Sequence, residues 1–159
     1  VNYGIDPAQL RQYVVVPVLD QLGLLSDTAV NLVLGTAMHE SHLTYLHQIG
    51  GPALGLWQME PFTHDDCWSN FLFFRTDLAA IIRSIAGSQK PAAEDMIGDL
   101  RYACAMARIR YRRVPGGLPL NTPKALTAYW KQYYNTPLGK GTIEQALPHF
   151  AAACALALV

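Results

Sequence analysis

Glu40 is the residue best placed to do chemistry. It ends a run rich in Ala, Val and Leu, and at 100° per residue Ala29, Val33 and Ala37 fall near its own helical face. A carboxyl at the end of a buried apolar helix is desolvated, which favours its neutral, protonated form. A carboxylic acid kept protonated near neutral pH can act as a general acid, giving its proton to a leaving oxygen such as that of a glycosidic bond. The competing expectation is a helix-end Glu whose side chain reaches solvent. His39, His42 and His47 surround Glu40 and suggest a metal site. However, His39-Glu40-Ser41-His42 lacks the i, i+4 spacing of the zincin His-Glu-x-x-His pattern, so ordinary surface or hydrogen-bonded imidazoles and no metal are expected. Downstream, Arg101, Arg108 and Arg112 fall within about 40° of one another on one helical face, with Arg110 and Arg113 beside it. That face is either simply solvated or an anchor for carboxylates and phosphates.

These groups must be held by helices, because nearly every segment carries a helical period or a helix boundary. Asp6 with Pro7 starts a helix that runs toward Gly23 with a kink at Pro17. Ser26 or Asp27 caps the next, which continues to about Ser41 and is apolar almost all round, so it is expected at the centre. Residues 44–61 hold three Gly and two Pro and read as a loop or short β-hairpin. Helical pattern returns over 61–74, 77–86 and 95–113, is cut by Pro115-Gly116-Gly117, and resumes from Asn121 or Thr122 to about Tyr134. Thr142 and Gln145 form a capping-box pattern for a last helix, which the Ala-rich tail 151–159 completes. The expectation is a mainly α, single domain with one irregular or β-hairpin excursion.

The chain of 159 residues is 51% hydrophobic and 15% charged, enough to bury a core and too apolar for a disordered chain. Its formal net charge is zero, which excludes a whole-molecule basic field; no nucleic-acid partner is expected. The zero is a sum of unlike halves. Residues 1–79 carry two basic groups (Arg11 and Arg75) against eight acidic ones, and residues 80–159 carry ten basic against four acidic. Cys67, Cys104 and Cys154 fit neither a zinc motif nor a disulfide framework and are expected to be buried. The first six residues lack the basic and apolar blocks of a signal peptide, and no apolar run approaches the roughly 20 residues of a membrane span.

Fourteen residues after Ser41 comes Gly55-Leu56-Trp57-Gln58-Met59-Glu60-Pro61. Together with Glu40-Ser41 it resembles the two signature blocks of the lytic transglycosylases of the soluble, goose-type-lysozyme-related kind. That family carries Glu-Ser at the end of a buried helix, then a Gly-Leu-Met-Gln-Ile-Met-Pro-like block. Gly55, Leu56, Gln58 and Pro61 match, Met59 is a conservative replacement, and Trp57 and Glu60 stand where the family usually has Met. A third block, Ala125-Leu126-Thr127-Ala128-Tyr129, is similar to the start of the family's late Ala-Leu-Ala-Ala-Tyr-Asn-Ala-Gly-like block. Trp130 replaces the Asn, and the remainder is displaced to Tyr134-Asn135 and Gly139.

The resemblance implies a lysozyme-like fold and cleavage of the β-1,4 bond between N-acetylmuramic acid and N-acetylglucosamine, without a cofactor. Glu40 would act first as acid and then as base toward the sugar's 6-hydroxyl, leaving a 1,6-anhydro end. Attack by water would make the same site a muramidase, and a second carboxylate would favour that outcome. Glu60 is the candidate, since Asp65 and Asp66 read as the acidic start of a helix. Gln58 can donate to and accept from the sugar or its acetamido group. Trp57 either stacks on a sugar or joins the core. Met59 lies in the same block, and Ser41 either fixes the local backbone or touches substrate. Tyr129 is the expected active-site tyrosine, with Tyr134 as the alternative. The implied partners are glycan strands of the bacterial cell wall and other virion or lysis proteins, the enzyme being of phage type, carried by a particle or released during lysis. A non-catalytic glycan-binding or virion structural module of the same fold is the alternative from another class.

Overall fold

A computed structural model describes residues 3–156. The expected caps set the helix starts. Asp6 accepts from the Gln9 amide (3.0 Å), Ser26 from Ala29 (3.1 Å) and Thr122 from Ala125 (3.2 Å). Thr142 and Gln145 exchange reciprocal hydrogen bonds of 3.2 and 3.3 Å, a complete capping box. The resulting helices are α1 (7–21), α2 (Asp27–Ser41), α3 (Pro61–Asn70), α4 (Thr76–Ala86), α5 (Leu100–Arg112), α6 (123–135) and α7 (Ile143–Leu156).

Four boundaries differ from the sequence expectation. In α1 the disturbance precedes Pro17: residues Arg11–Val15 form a π-helical turn in which the Val16 amide reaches back to Arg11 O. The chain therefore widens one turn before the proline that cannot donate. The stretch expected as 61–74 ends at Asn70 and is succeeded by a 3-10 turn, Leu72–Phe74. The stretch expected as 95–113 is broken in two, a single turn Asp95–Gly98 and then α5. Asp99 causes the break: its backbone is extended and its side chain accepts from the Tyr102 amide at 3.0 Å, so it caps a new helix. In α6 the last residues, Lys131–Asn135, are again a π-helical turn. The tail beyond Leu156, expected to be helical, lies outside the described residues.

α2 is the central element. Ala29, Val30, Leu32, Val33, Leu34 and Ala37 are all buried, as expected for a helix that is apolar all round. It lies most extensively against α7 and also touches α1, α5 and α6. The close approach to α7 needs Gly35, because a Cβ there would run into the Phe150 ring. α5 forms the second axis, contacting α1, α2, α3, α4 and the end of α6.

The excursion is irregular, and no β-hairpin forms among the described residues. Only two isolated antiparallel bridges occur, His47 with Leu54 and Leu54 with Met59. Gly50, Gly55 and Gln58 have positive φ (73°, 76° and 48°), so the chain turns too often for two strands to pair. At Gly55 the conformation is obligatory, since a Cβ would also lie 2.5 Å from Met96 O. Among the described residues no helix is long and apolar enough to cross a membrane. All three cysteines are free: Cys67 and Cys104 are buried and Cys154 is half-buried.

Candidate active site

α2 ends in a left-handed residue, His42 (φ 51°), and the chain turns away at once. Ser41 makes this turn. Its buried hydroxyl donates to Ala37 O (3.1 Å) and accepts from the Leu43 amide (3.2 Å). Ser41 is fully buried and its proton is given to Ala37 O, so it fixes the backbone and does not line the cleft. The turn leaves Glu40, in the last turn of α2, at the floor of a cleft of about 590 Å³.

One wall of the cleft is the excursion, with Gln48, Gln58 and Glu60, continued by Thr63 of α3. The other comprises Arg110 of α5, Tyr134 and Asn135 of α6, and the adjoining loop through Lys140 and Gly141. Lys131 ties that loop down, donating to Asn135 Oδ1 (2.7 Å), Gly139 O (2.9 Å) and Gly141 O (2.7 Å). Both charge halves of the sequence therefore meet at one cavity: Glu40 and Glu60 from the acidic half, Arg110 and Lys140 from the basic half.

Burial pushes the Glu40 carboxyl up to about 7, against the opposing pull of a Trp130 hydrogen bond and the Arg110 charge. The indole of Trp130 is fully buried and donates from Nε1 to Glu40 Oε1 at 2.9 Å. Arg110 is itself anchored, donating to Tyr134 O (2.6 Å) and Tyr133 O (3.4 Å), carbonyls that the end of α6 leaves unpaired. Its guanidinium lies 4.5 Å from the centroid of the Tyr134 ring. His39, also in the cleft wall, is held neutral: burial and the neighbouring His149 and His42 lower it to about 4.

The expected site residues separate on this geometry. Glu40, Gln58 and Glu60 line the cleft. Gln58 also braces its own turn, donating to Gly55 O at 2.8 Å. Trp57 and Met59 do not line it. Each is 1% exposed, and the Trp57 indole donates to Val33 O at 2.9 Å, so Trp57 is core rather than a sugar platform. Leu56, Trp57 and Met59 are all buried, which leaves Gln58 as the side chain between them that faces the cavity. Tyr129 is likewise corrected. It is buried behind the cleft, stacked on Tyr111 at 5.7 Å with its hydroxyl donating to Gly117 O at 3.3 Å. Tyr134 is the tyrosine in the cleft wall, its hydroxyl donating to Trp57 O at 2.7 Å.

Asp65 and Asp66 sit in the second turn of α3, away from the cleft, paired with His64 (2.8 Å) and Arg113 (2.7 Å). The arginine face does not survive as one surface. Arg108 is 5% exposed, Arg101 reaches Gln21 at 3.3 Å, Arg113 holds Asp66 and Arg110 turns into the cleft. Trp130 and Arg110 are the residues that sequence reasoning undervalues. Trp130 is visible there only as the departure from the third block, and Arg110 only as a neighbour of the stripe.

Among the described residues no group of three or more His, Cys, Asp or Glu side chains is arranged to hold a metal ion. His39 and His149 spend their Nδ1 atoms on each other at 3.0 Å, and His47 turns to Gln48 O at 3.0 Å. No family model, curated protein or solved structure matches the chain.

Proposed function

We propose that the protein cleaves the β-1,4 bond between N-acetylmuramic acid and N-acetylglucosamine in peptidoglycan, as a lytic transglycosylase. The carrying observation is a carboxyl at the floor of an open polar cleft, desolvated to about 7. At neutral pH such a group is divided between acid and carboxylate, so one side chain can serve in both roles. Glu40 protonates the leaving glycosidic oxygen. The muramoyl acetamido oxygen stabilises the positive charge at C1, so no enzyme nucleophile is needed. The Glu40 carboxylate then takes the proton of the 6-hydroxyl as that oxygen closes on C1. Gln58, Asn135 and Thr63 supply amide and hydroxyl groups to the same cavity, and Arg110 and Lys140 supply positive charge suited to stem-peptide carboxylates. The site of action is the cell wall, which fits a phage-borne or lysis enzyme.

Glu60 favours a second reading. It is exposed and lines the same cleft as Glu40, and a second carboxylate is what a muramidase needs to activate water. Digestion of purified peptidoglycan by wild type and Glu40→Gln, with the sugar ends identified by mass spectrometry, separates the possibilities. Anhydro ends are expected. Reducing ends would make it a hydrolase, undiminished cleavage by Glu40→Gln would remove Glu40 from the mechanism, and an inactive wild type would indicate a binding module.

A further inference from the structure

The carboxyl of Glu40 has two oxygens in different surroundings. Oε1 accepts from Trp130 Nε1, and Oε2 makes no hydrogen bond among the described residues and is not among the sealed, unpartnered atoms. An indole N–H can only donate, so it engages an oxygen through a lone pair and disfavours a proton on that oxygen. We propose that Trp130 is a positioning residue that confines the reacting proton of Glu40 to Oε2, the oxygen left to the cleft. This rests on the reading of Glu40 as the acid.

The indole is well fixed for the task. The His39 ring meets it edge-on at 4.7 Å, Phe150 packs at 6.2 Å, and a Cβ at Gly141 would lie 2.9 Å from its far edge. His39 is held in turn by His149. The other titratable groups facing Glu40 come from each surrounding element: His39 on α2, Glu60 from the excursion, Arg110 and Tyr111 on α5, Tyr134 on α6 and Lys140 on the loop after it. None of these hydrogen-bonds the carboxyl, so Trp130 is the group that distinguishes its two oxygens. When Oε2–H gives its proton to the glycosidic oxygen, the electron pair stays on the carboxylate. Oε1 keeps the indole bond, and Oε2 is free to take the proton of the 6-hydroxyl. Trp130 thereby directs both transfers through one oxygen.

The first test needs only the wild type. The indole ¹⁵N–H resonance of Trp130 is expected to titrate with the midpoint of the Glu40 carboxyl carbon, whereas those of Trp57 and Trp68, bound to Val33 O and Tyr102 Oη, stay flat. The second is Trp130→Phe, for which kcat is expected to fall about tenfold with KM changed less than about twofold. The alkaline limb of the rate profile should move to higher pH, since a bond favouring the carboxylate has gone. A Trp130 resonance that stays flat while Glu40 titrates, or a Trp130→Phe enzyme with unmoved kcat and limb, would overturn the inference. A wild type that titrates in this way but releases no sugar ends would overturn the proposed activity, and with it the catalytic use of the bond.

Discussion

Two polar clusters among the described residues are built from similar parts, one closed and one open. On the α3–α5 side, Tyr102 Oη receives the Trp68 indole N–H (2.9 Å) and bonds His64 Nε2 (2.5 Å), while His64 Nδ1 meets Asp65 (2.8 Å). Every polar atom at its centre has a partner, and His64 and Tyr102 are sealed from solvent. At the end of α2, Trp130 again donates its indole N–H, now to a carboxyl with one oxygen left over and a cleft in front of it. The first arrangement resembles an acid–base relay in its residue types, yet it has no opening through which a substrate could reach it. Chemistry comes from the unused valence and the access to it, not from which residues are assembled.

The largest test of this contrast is Glu40→Gln, which should lower peptidoglycan cleavage about a thousandfold, roughly 4 kcal/mol in the barrier, in a sugar-release assay. Tyr102→Phe should do the opposite. It strands the Trp68 N–H and a His64 nitrogen and should cost about 1–3 kcal/mol in denaturant unfolding, with kcat unchanged. A loss of activity in the folded Tyr102→Phe protein would break the distinction between the clusters.

The open cluster should also show in the pH dependence of stability. Fold and carboxylate oppose each other at Glu40, whose pKa is raised to about 7, so its contribution is full below the unfolded carboxyl range and is lost as pH rises through 7. Glu40→Gln, which carries no charge, should therefore unfold about 1–2 kcal/mol less readily than wild type at pH 8, after allowance for the partly open cleft, and show little difference at pH 4. The smallest effect concerns His39. Its pKa is lowered to about 4, so it stabilises the fold above its unfolded value of 6.5 and that stability is lost as pH falls through 4. Thermal unfolding of His39→Phe between pH 6.5 and 4 should show a shallower decline than wild type.

Much of the fold is legible in the sequence where the determinant is local. The caps at Asp6, Ser26, Thr122 and Thr142 each act within three residues, and the structure forms all four. Glu40 at the end of α2 is legible because a long apolar helix has no outward face. Residues whose role is set across the fold are not. Trp130 meets Glu40 across 90 positions, and no periodicity reports that. Trp57 and Gln58 are neighbours with opposite fates because Gln58 has φ of 48°, a local irregularity that composition does not announce. The break at Asp99 is hidden because the helical pattern on either side of it looks continuous until its side chain is seen to cap the second helix.

The π-helical turn at Lys131–Asn135 makes this site sensitive to length as well as to composition. A π turn holds one residue more than the α-helix it interrupts, and that residue rotates the downstream side chains by about 100°. If the stretch rewound to a regular α-helix with all its residues kept, the side chains at its end, Tyr134 among them, would swing by up to about 100°. The chain would still contain Glu40, Trp130, Arg110 and Tyr134, yet the cavity wall would have lost its tyrosine and Arg110 the carbonyls that hold it. Removing one residue from the turn would cancel that rotation, so at this site a one-residue deletion and the loss of the π turn are compensating changes.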